Sequence, residues 1–267
     1  MSTRIITLLT DFGTEDYFVG AMKGVILTRT SRAVLVDITH AIPHQNLEAA
    51  AFTLNAAYSC FPAGSIHLAV VDPGVGSDRR PILIEAGLHL FVGPDNGLFT
   101  FVLDQFPTAR IRHLTNSAYF LANPGTTFHG RDIFAPVAAS LAKGVAPAKF
   151  GPIVQDPVRL EAARFASLPD GSLTGKIIHI DHFGNCITNL PADLFPTTSE
   201  TRRFVLQVKD CAVRTVERSY QAGAQQASQP FLIRGSAGFV EISLASASAA
   251  RTIGIRVGDP VHLCWNK

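Results

Sequence analysis

The chain has 267 residues, 47% of them hydrophobic and 16% charged, and a formal net charge of +2. That is length for one large domain or two moderate ones, with ample apolar content for a core. The near balance of charge, with no basic stripe or acidic tail, excludes nucleic acid and anionic membrane as expected partners.

In chain order, residues 5–9 form a short apolar run that reads as a strand, as do residues 33–38. Residues 46–59 are apolar at helical spacing and predict a helix. Strands are expected again at 65–71 and 88–92, and a helix at 132–141. Strand, helix and strand in alternation predict an α/β N-terminal domain with a mostly parallel sheet, assigned to residues 1–165. Residues 151–173 mix Pro, Gly, Ala and Arg without firm periodicity and read as a linker. Beyond it the helical pattern fades. Strand-like runs at 175–181, 204–208, 231–233, 239–244 and 260–265 predict a smaller, all-β, barrel-like C-terminal domain over residues 171–267. No run approaches the roughly 18 apolar residues of a membrane span, and the first apolar run is too short for a signal peptide. The four cysteines (Cys60, Cys186, Cys211, Cys264) are scattered, form no CxxC pair, and read as buried thiols of a reducing compartment. A cytoplasmic protein is expected.

Polar clusters end or interrupt five of the apolar runs. Thr10-Asp11-Phe12-Gly13 follows the first strand, and residues 71–80, Val-Asp-Pro-Gly-Val-Gly-Ser-Asp-Arg-Arg, follow the third. Gly93-Pro94-Asp95-Asn96-Gly97 follows the fourth. Thr127-Phe128-His129-Gly130-Arg131-Asp132 precedes a helix, and Asp181-His182-Phe183-Gly184-Asn185 ends the first strand of the second domain. Asp, Asn and Gly populate turns for backbone reasons alone, so each cluster taken singly reads equally as turn chemistry. Several at one strand edge point to a small-molecule site, because ligands of open sheets gather there. Phosphate-cradling loops, HExxH and GxSxG are all absent from the sequence. His129 with Asp132 is the nearest approach to a metal-ligand pair, and Asp132 is instead expected to cap the following helix. His40 and His44 lie in a Pro-containing loop and read as structural or surface residues.

Taken together, Leu-Thr-Asp-Phe-Gly (9–13), Val-Asp-Pro-Gly-Val-Gly-x-x-Arg (71–79), Gly-Pro-Asp-Asn-Gly (93–97), Thr-Phe-His-Gly-Arg-Asp (127–132) and Asp-His-Phe-Gly-Asn (181–185) resemble the adenosine-forming S-adenosyl-L-methionine (SAM) hydrolases, or SAM hydroxide adenosyltransferases. These are relatives of the fluorinase and chlorinase. The resemblance implies a homotrimer that splits SAM into adenosine and L-methionine without a cofactor or metal. Each site would lie between the N-terminal domain of one subunit and the C-terminal domain of its neighbour. It also implies residue roles. Asp72, Arg79 and His129 would activate the nucleophile, Asp11 would accept from the ribose hydroxyls, and Asp181 would pair with the methionine ammonium. Asn185 would read the adenine edge, Phe128 would pack on ribose or adenine, and Ser236 would meet the methionine carboxylate. In the fluorinase branch an arginine follows that serine; here the residue is Ala237, so backbone N–H groups would share the task.

The chemistry fits these residue types. The sulfonium leaves as a neutral thioether and needs no general acid, so the task is in-line delivery of water or hydroxide to C5′. Asp72 would orient the water and accept its proton, while Arg79 and His129 hold the incoming oxygen. Two other readings remain: a halogenase of the same family and a non-catalytic SAM or adenosine sensor. Against the halogenase, Asp72 stands where the fluorinase carries a tyrosine and Gly130 where it carries its halide-contacting serine, and a carboxylate there would repel a halide.

Overall fold

A computed structural model of the protein describes residues 4–161, 164–195, 204–223 and 229–265. The chain divides into two compact units, residues 1–160 and 161–267.

The first unit is built on a seven-stranded sheet. Its strands are β1 (Ile5–Thr10), β2 (Val34–Thr39), β3 (Ile66–Val70), β4 (Pro81–Ala86), β5 (His89–Pro94), β6 (Arg110–His113) and β7 (Ile153–Val154), in the spatial order β2-β1-β3-β5-β4-β6-β7. The strands alternate their side chains between two cores. Ile6, Leu8, Leu68 and Val92 pack with Met22 and Ile26 of α1 (Phe18–Arg29) and with Val137 and Leu141 of α4 (Ala135–Ala142). Leu9, Ala69, Ile84 and Phe91 pack with Leu54 and Tyr58 of α2 (Leu47–Tyr58) and with Val102 of α3 (Thr100–Gln105). Burial on both faces is why the strands read as continuous apolar runs. Asn46, whose side chain accepts from the Ala49 N–H, caps the start of α2.

The sheet is mixed, not mostly parallel. The ladders β1–β2, β1–β3 and β3–β5 are parallel, but β4–β5, β4–β6 and β6–β7 are antiparallel. The cause is local: β4 and β5 are joined only through Gly87 and Leu88, with Gly87 at φ +56°, and a connection that short returns the chain antiparallel. Residues 153 and 154, expected in a linker, extend this sheet as β7.

In the second unit β8 (Ala166–Ser167), β9 (Leu173–Ile180), β10 (Cys186–Pro191), β11 (Phe204–Val208), β12 (Cys211–Val213), β13 (Val216–Glu217), β14 (Phe231–Arg234), β15 (Phe239–Ser243) and β16 (Pro260–Trp265) form one nine-stranded sheet. The path β12-β11-β16-β9-β10-β15-β14-β13 does not return on itself among the described residues, and β8 pairs β9 beside it. Alternating burial along β11 and β16 gives the sheet a single core, with Leu206, Leu263, Ile177 and Ile242 in it. Two short helices, α5 (Tyr220–Gly223) and α6 (Ala249–Ile253), interrupt the β pattern, so this unit is not wholly β. Of the four cysteines, all free, Cys186 is buried, whereas Cys60 and Cys264 are exposed. Cys60 follows the end of α2, and Cys264 lies on the outward face of β16, so the expectation of four buried thiols fails there. No helix among the described residues is long and apolar enough to cross a membrane.

Candidate active site

The parallel part of the sheet delivers three loops from the C-terminal ends of adjacent strands: Asp11 after β1, Asp72 two residues beyond β3, and Asp95-Asn96 after β5. The Asp72 loop is held from both sides. Asn96 donates its side-chain N–H to the Val71 carbonyl at 2.9 Å. At the far end Arg80 pairs with Asp95 at 2.7 Å, and Asp95 also accepts from the Val158 N–H at 2.9 Å. The Gly-Pro-Asp-Asn-Gly cluster therefore positions the neighbouring loop. Gly76 has φ +81°, and a Cβ there would sit 2.7 Å from the Thr126 carbonyl oxygen. Only glycine allows this loop to lie on the segment that leads into Phe128 and His129.

Within that frame Asp72, Arg79 and His129 meet. Arg79 Nε lies 3.0 Å from both carboxylate oxygens of Asp72, and its Nη2 donates to Oδ2 at 2.5 Å. The same Nη2 donates to His129 Nδ1 at 2.6 Å. Phe134 lies under the guanidinium, 5.3 Å from centroid to carbon. The Asp72 and Arg79 side chains are only 4% and 8% exposed. Arginine has no acceptor, so His129 Nδ1 must accept and a neutral ring carries its proton on Nε2. Burial, reinforced by the Arg79 charge, holds His129 below its ordinary pKa against the opposing pull of Asp72 and Asp132, so the imidazole is neutral at pH 7. Arg79 Nη1 is buried with no hydrogen-bond partner among the described residues. Buried guanidinium N–H groups are rarely left so, and this one is available to an incoming anion or water.

His129 opens a single π-helical turn, Gly130–Phe134, that runs into α4, an irregularity common at functional sites. Asp132 lies inside the π turn and does not cap α4. Its carboxylate is 2.6 Å from Arg131 Nε and accepts from the Gly125 N–H at 2.8 Å, tying down the loop before His129. Burial would raise its pKa, but Arg131 and the Gly125 N–H hold it below the usual carboxylate range. Gly130 is closely packed: a Cβ would sit 3.2 Å from Met22 Sδ and 3.3 Å from Phe128. Phe128 itself belongs to the core, edge-to-face with Phe12 and Phe18 and with the Arg131 guanidinium over its ring. Asp11 accepts from the Gln45 N–H at 2.8 Å, and Gln45 holds a left-handed φ of +59° there. His44, 3.7 Å from Asp11, is exposed, whereas His40 is buried and bonded to Thr10 Oγ1 at 2.8 Å.

The second unit carries its own candidate residues. Asp181 Oδ1 accepts from the Phe183 and Asn185 N–H groups, both at 2.9 Å, and Oδ2 accepts from the Asn185 side chain at 2.8 Å. Gly184, at φ +89°, lets Ser248 close on this turn, since a Cβ would lie 2.0 Å from Ser248 Oγ. The turn borders a cavity of about 920 Å³ lined by Asp181, Phe183, Asn185, Tyr220, Ser248 and Arg251 among others. Ser236 is exposed in the β14–β15 turn and does not line this cavity. Asn96, Tyr220, Ser248 and Arg251 were not assigned roles from the sequence. Asn96 stood within a visible cluster, but the other three carry no local motif.

Two family models match the chain: the SAM hydroxide adenosyltransferase N-terminal domain over residues 6–151 and its C-terminal domain over residues 175–262. A protein of Thermus thermophilus named (R)-S-adenosyl-L-methionine hydrolase is 38% identical, with 97% of this chain and 99% of the relative covered. One of the same name from Methanocaldococcus jannaschii is 34% identical over 98% and 96%. A fluorinase of Actinopolyspora mzabensis is more distant, at 24% identity over 98% and 97%. The solved structure of a conserved protein of Thermotoga maritima matches with a TM-score of 0.88 and 32% identity, over 97% of this chain and 99% of that one. The chain belongs to the SAM hydroxide adenosyltransferase family.

Proposed function

We propose that the protein hydrolyses SAM to adenosine and L-methionine by in-line attack of water on C5′. The observation that carries this reading is the half-buried Asp72–Arg79–His129 contact, with the buried Arg79 Nη1 left without a partner among the described residues. Nη1 holds the attacking oxygen. Asp72 keeps an unused lone pair on Oδ1 and takes the water proton as the C5′–O bond forms. The C5′–S bond breaks with its electron pair going to sulfur, which departs as the neutral thioether of methionine. No general acid is called on, and no cofactor or metal takes part. Neutral His129, accepting at Nδ1, keeps the guanidinium turned toward the nucleophile.

Binding roles complete the reading. Asp11 accepts from the ribose diol, Asn185 reads the adenine edge, and Asp181 faces the methionine ammonium. Phe128 supports the ribose side from the core. Ser236 and backbone N–H groups take the methionine carboxylate. The two halves of each site come from neighbouring subunits of a homotrimer, and the protein works in the cytoplasm. The relatives' names specify the R configuration at sulfur, and we infer the same preference here. Halogenation is disfavoured by the Asp72 charge and by the packing at Gly130, which leaves no room for a serine hydroxyl without moving Met22.

The test is to incubate purified protein with each sulfonium epimer of SAM and separate products by chromatography. Adenosine and methionine in equal amounts are expected from the R epimer. A 5′-halo-5′-deoxyadenosine formed in halide would establish the halogenase reading, and tight binding without turnover would establish the sensor. Light scattering should show a trimer, and a stable, active monomer would contradict the shared site.

A further inference from the structure

Glu241 on β15 is 8% exposed, and no Lys or Arg lies within ion-pair distance of it among the described residues. Its ladder neighbours, Ile187 on β10 and Ile233 on β14, are apolar. Its Oε2 accepts from the Tyr220 hydroxyl at 2.9 Å. Oε1 lies against Gly235, where a Cβ would be only 2.0 Å away. Glycine is thus required beside Ser236 because Glu241 fills the space below the turn. A buried carboxylate without a cation beside it is costly.

Tyr220 connects Glu241 to a known place, since it lines the 920 Å³ cavity together with Asp181. Burial first, and then the nearby Asp181 charge, hold Glu241 above the usual carboxylate range. Arg251 also borders the cavity but forms no ion pair with either acid. One side of this cavity is therefore governed by two carboxylates, one at its wall and one behind a tyrosine hydroxyl.

We propose that Glu241, acting through Tyr220, is a positioning residue that makes this wall selective for the ammonium group of the substrate's methionine arm. The inference rests on the hydrolase reading. Asp181 gives three of its acceptor positions to its own turn and keeps one on Oδ2, so Glu241 adds to the attraction that Asp181 alone delivers weakly.

Product inhibition separates this role from a structural one. Gln at 241 keeps a partner for Tyr220 and the same shape while removing the charge. Glu241→Gln is expected to weaken L-methionine binding and raise KM for SAM about tenfold, the scale of one charge-assisted contact. The inhibition constant of adenosine, which lacks the amino-acid arm, should stay unchanged. Tyr220→Phe should move the same two quantities in the same direction by a smaller factor. Equal loss of methionine and adenosine binding, or no loss of either, would overturn the proposal. A wild-type protein that forms no adenosine from SAM would instead defeat the hydrolase reading, and methionine binding by calorimetry would still report on Glu241.

Discussion

Asp72, Arg79 and His129 in the first unit are joined through Arg79 at 2.5–3.0 Å, with the Asp72 and Arg79 side chains buried, and are braced by Asn96, Asp132 and the Gly76–Thr126 approach. Among the hydrogen bonds of the described residues, those of the Asp181 and Asn185 side chains in the second unit lie within their own turn, beside an open cavity where Phe183 is 76% exposed. One region is braced from several sides, and the other is an open cavity bordered by a self-contained turn. The contrast matches two tasks. Stabilising a transition state rewards groups already fixed in place, whereas binding a flexible cationic substrate is completed by the substrate.

If the contrast is right, substitutions in the first region act on turnover and those in the second on affinity. Asp72→Asn should lower kcat by about 10²–10⁴, the usual worth of a positioned base, while SAM still binds. Steady-state kinetics with calorimetric SAM binding checks both halves, and near-normal turnover would remove Asp72 from the mechanism. Asn185→Ala should raise KM about tenfold, the scale of a lost hydrogen bond with its buried partner unpaired, with a smaller effect on kcat. A loss confined to kcat would erase the distinction between the regions.

Bracing can be tested apart from chemistry. Gly76→Ala should cost about 1–3 kcal/mol for a left-handed non-glycine residue, and more because its Cβ meets the Thr126 carbonyl. Gly171 has nearly the same φ, +82°, but a Cβ there would meet nothing within 4 Å, so Gly171→Ala isolates the backbone contribution. Urea unfolding should rank Gly76→Ala well below Gly171→Ala, with turnover lost only in the former.

Acid separates the two units in another way. His67 is wholly buried between Thr7 Oγ1 and His89, and burial first, then the His89 charge, hold its pKa down at about 3. The unfolded chain takes up that proton near pH 6.5. The contribution is therefore complete above pH 6.5 and is lost as pH falls toward 3. Among the described residues the longer helices all lie in the first unit, while Trp265, the single tryptophan, lies in the second. Helical circular dichroism should fall at a higher pH than Trp265 emission changes, and coincident transitions would show that the units do not differ in this way.

Much of this was legible in the sequence where both faces of a strand are buried. Residues 5–9, 65–71 and 88–92 correspond closely to β1, β3 and β5. The helix at Phe18–Arg29 escaped because Gly20, Gly24 and Thr28 interrupt a buried stripe of only Val19, Met22 and Ile26. Strand β10 escaped because Thr188, Asn189 and Pro191 look like turn residues. They are strand residues since Thr188 Oγ1 donates to the Val240 carbonyl and the Asn189 side chain to the Arg164 carbonyl. Strand direction at β4 depends on a two-residue connection and not on composition. Family motifs pointed to Asp72, Arg79 and His129, but their mutual contact, and with it the neutral tautomer of His129, depends on the loop packing at Gly76. Tyr220 and Glu241 were invisible for a simpler reason: they are 21 positions apart, without a shared motif.

The most direct test of the central claim is hydrolysis of SAM in ¹⁸O-labelled water with both products analysed by mass spectrometry. One ¹⁸O in the 5′-hydroxyl of adenosine and none in L-methionine is the expected result. Label in methionine, or adenosine that carries none, would contradict attack of water on C5′ at the Asp72–Arg79–His129 site.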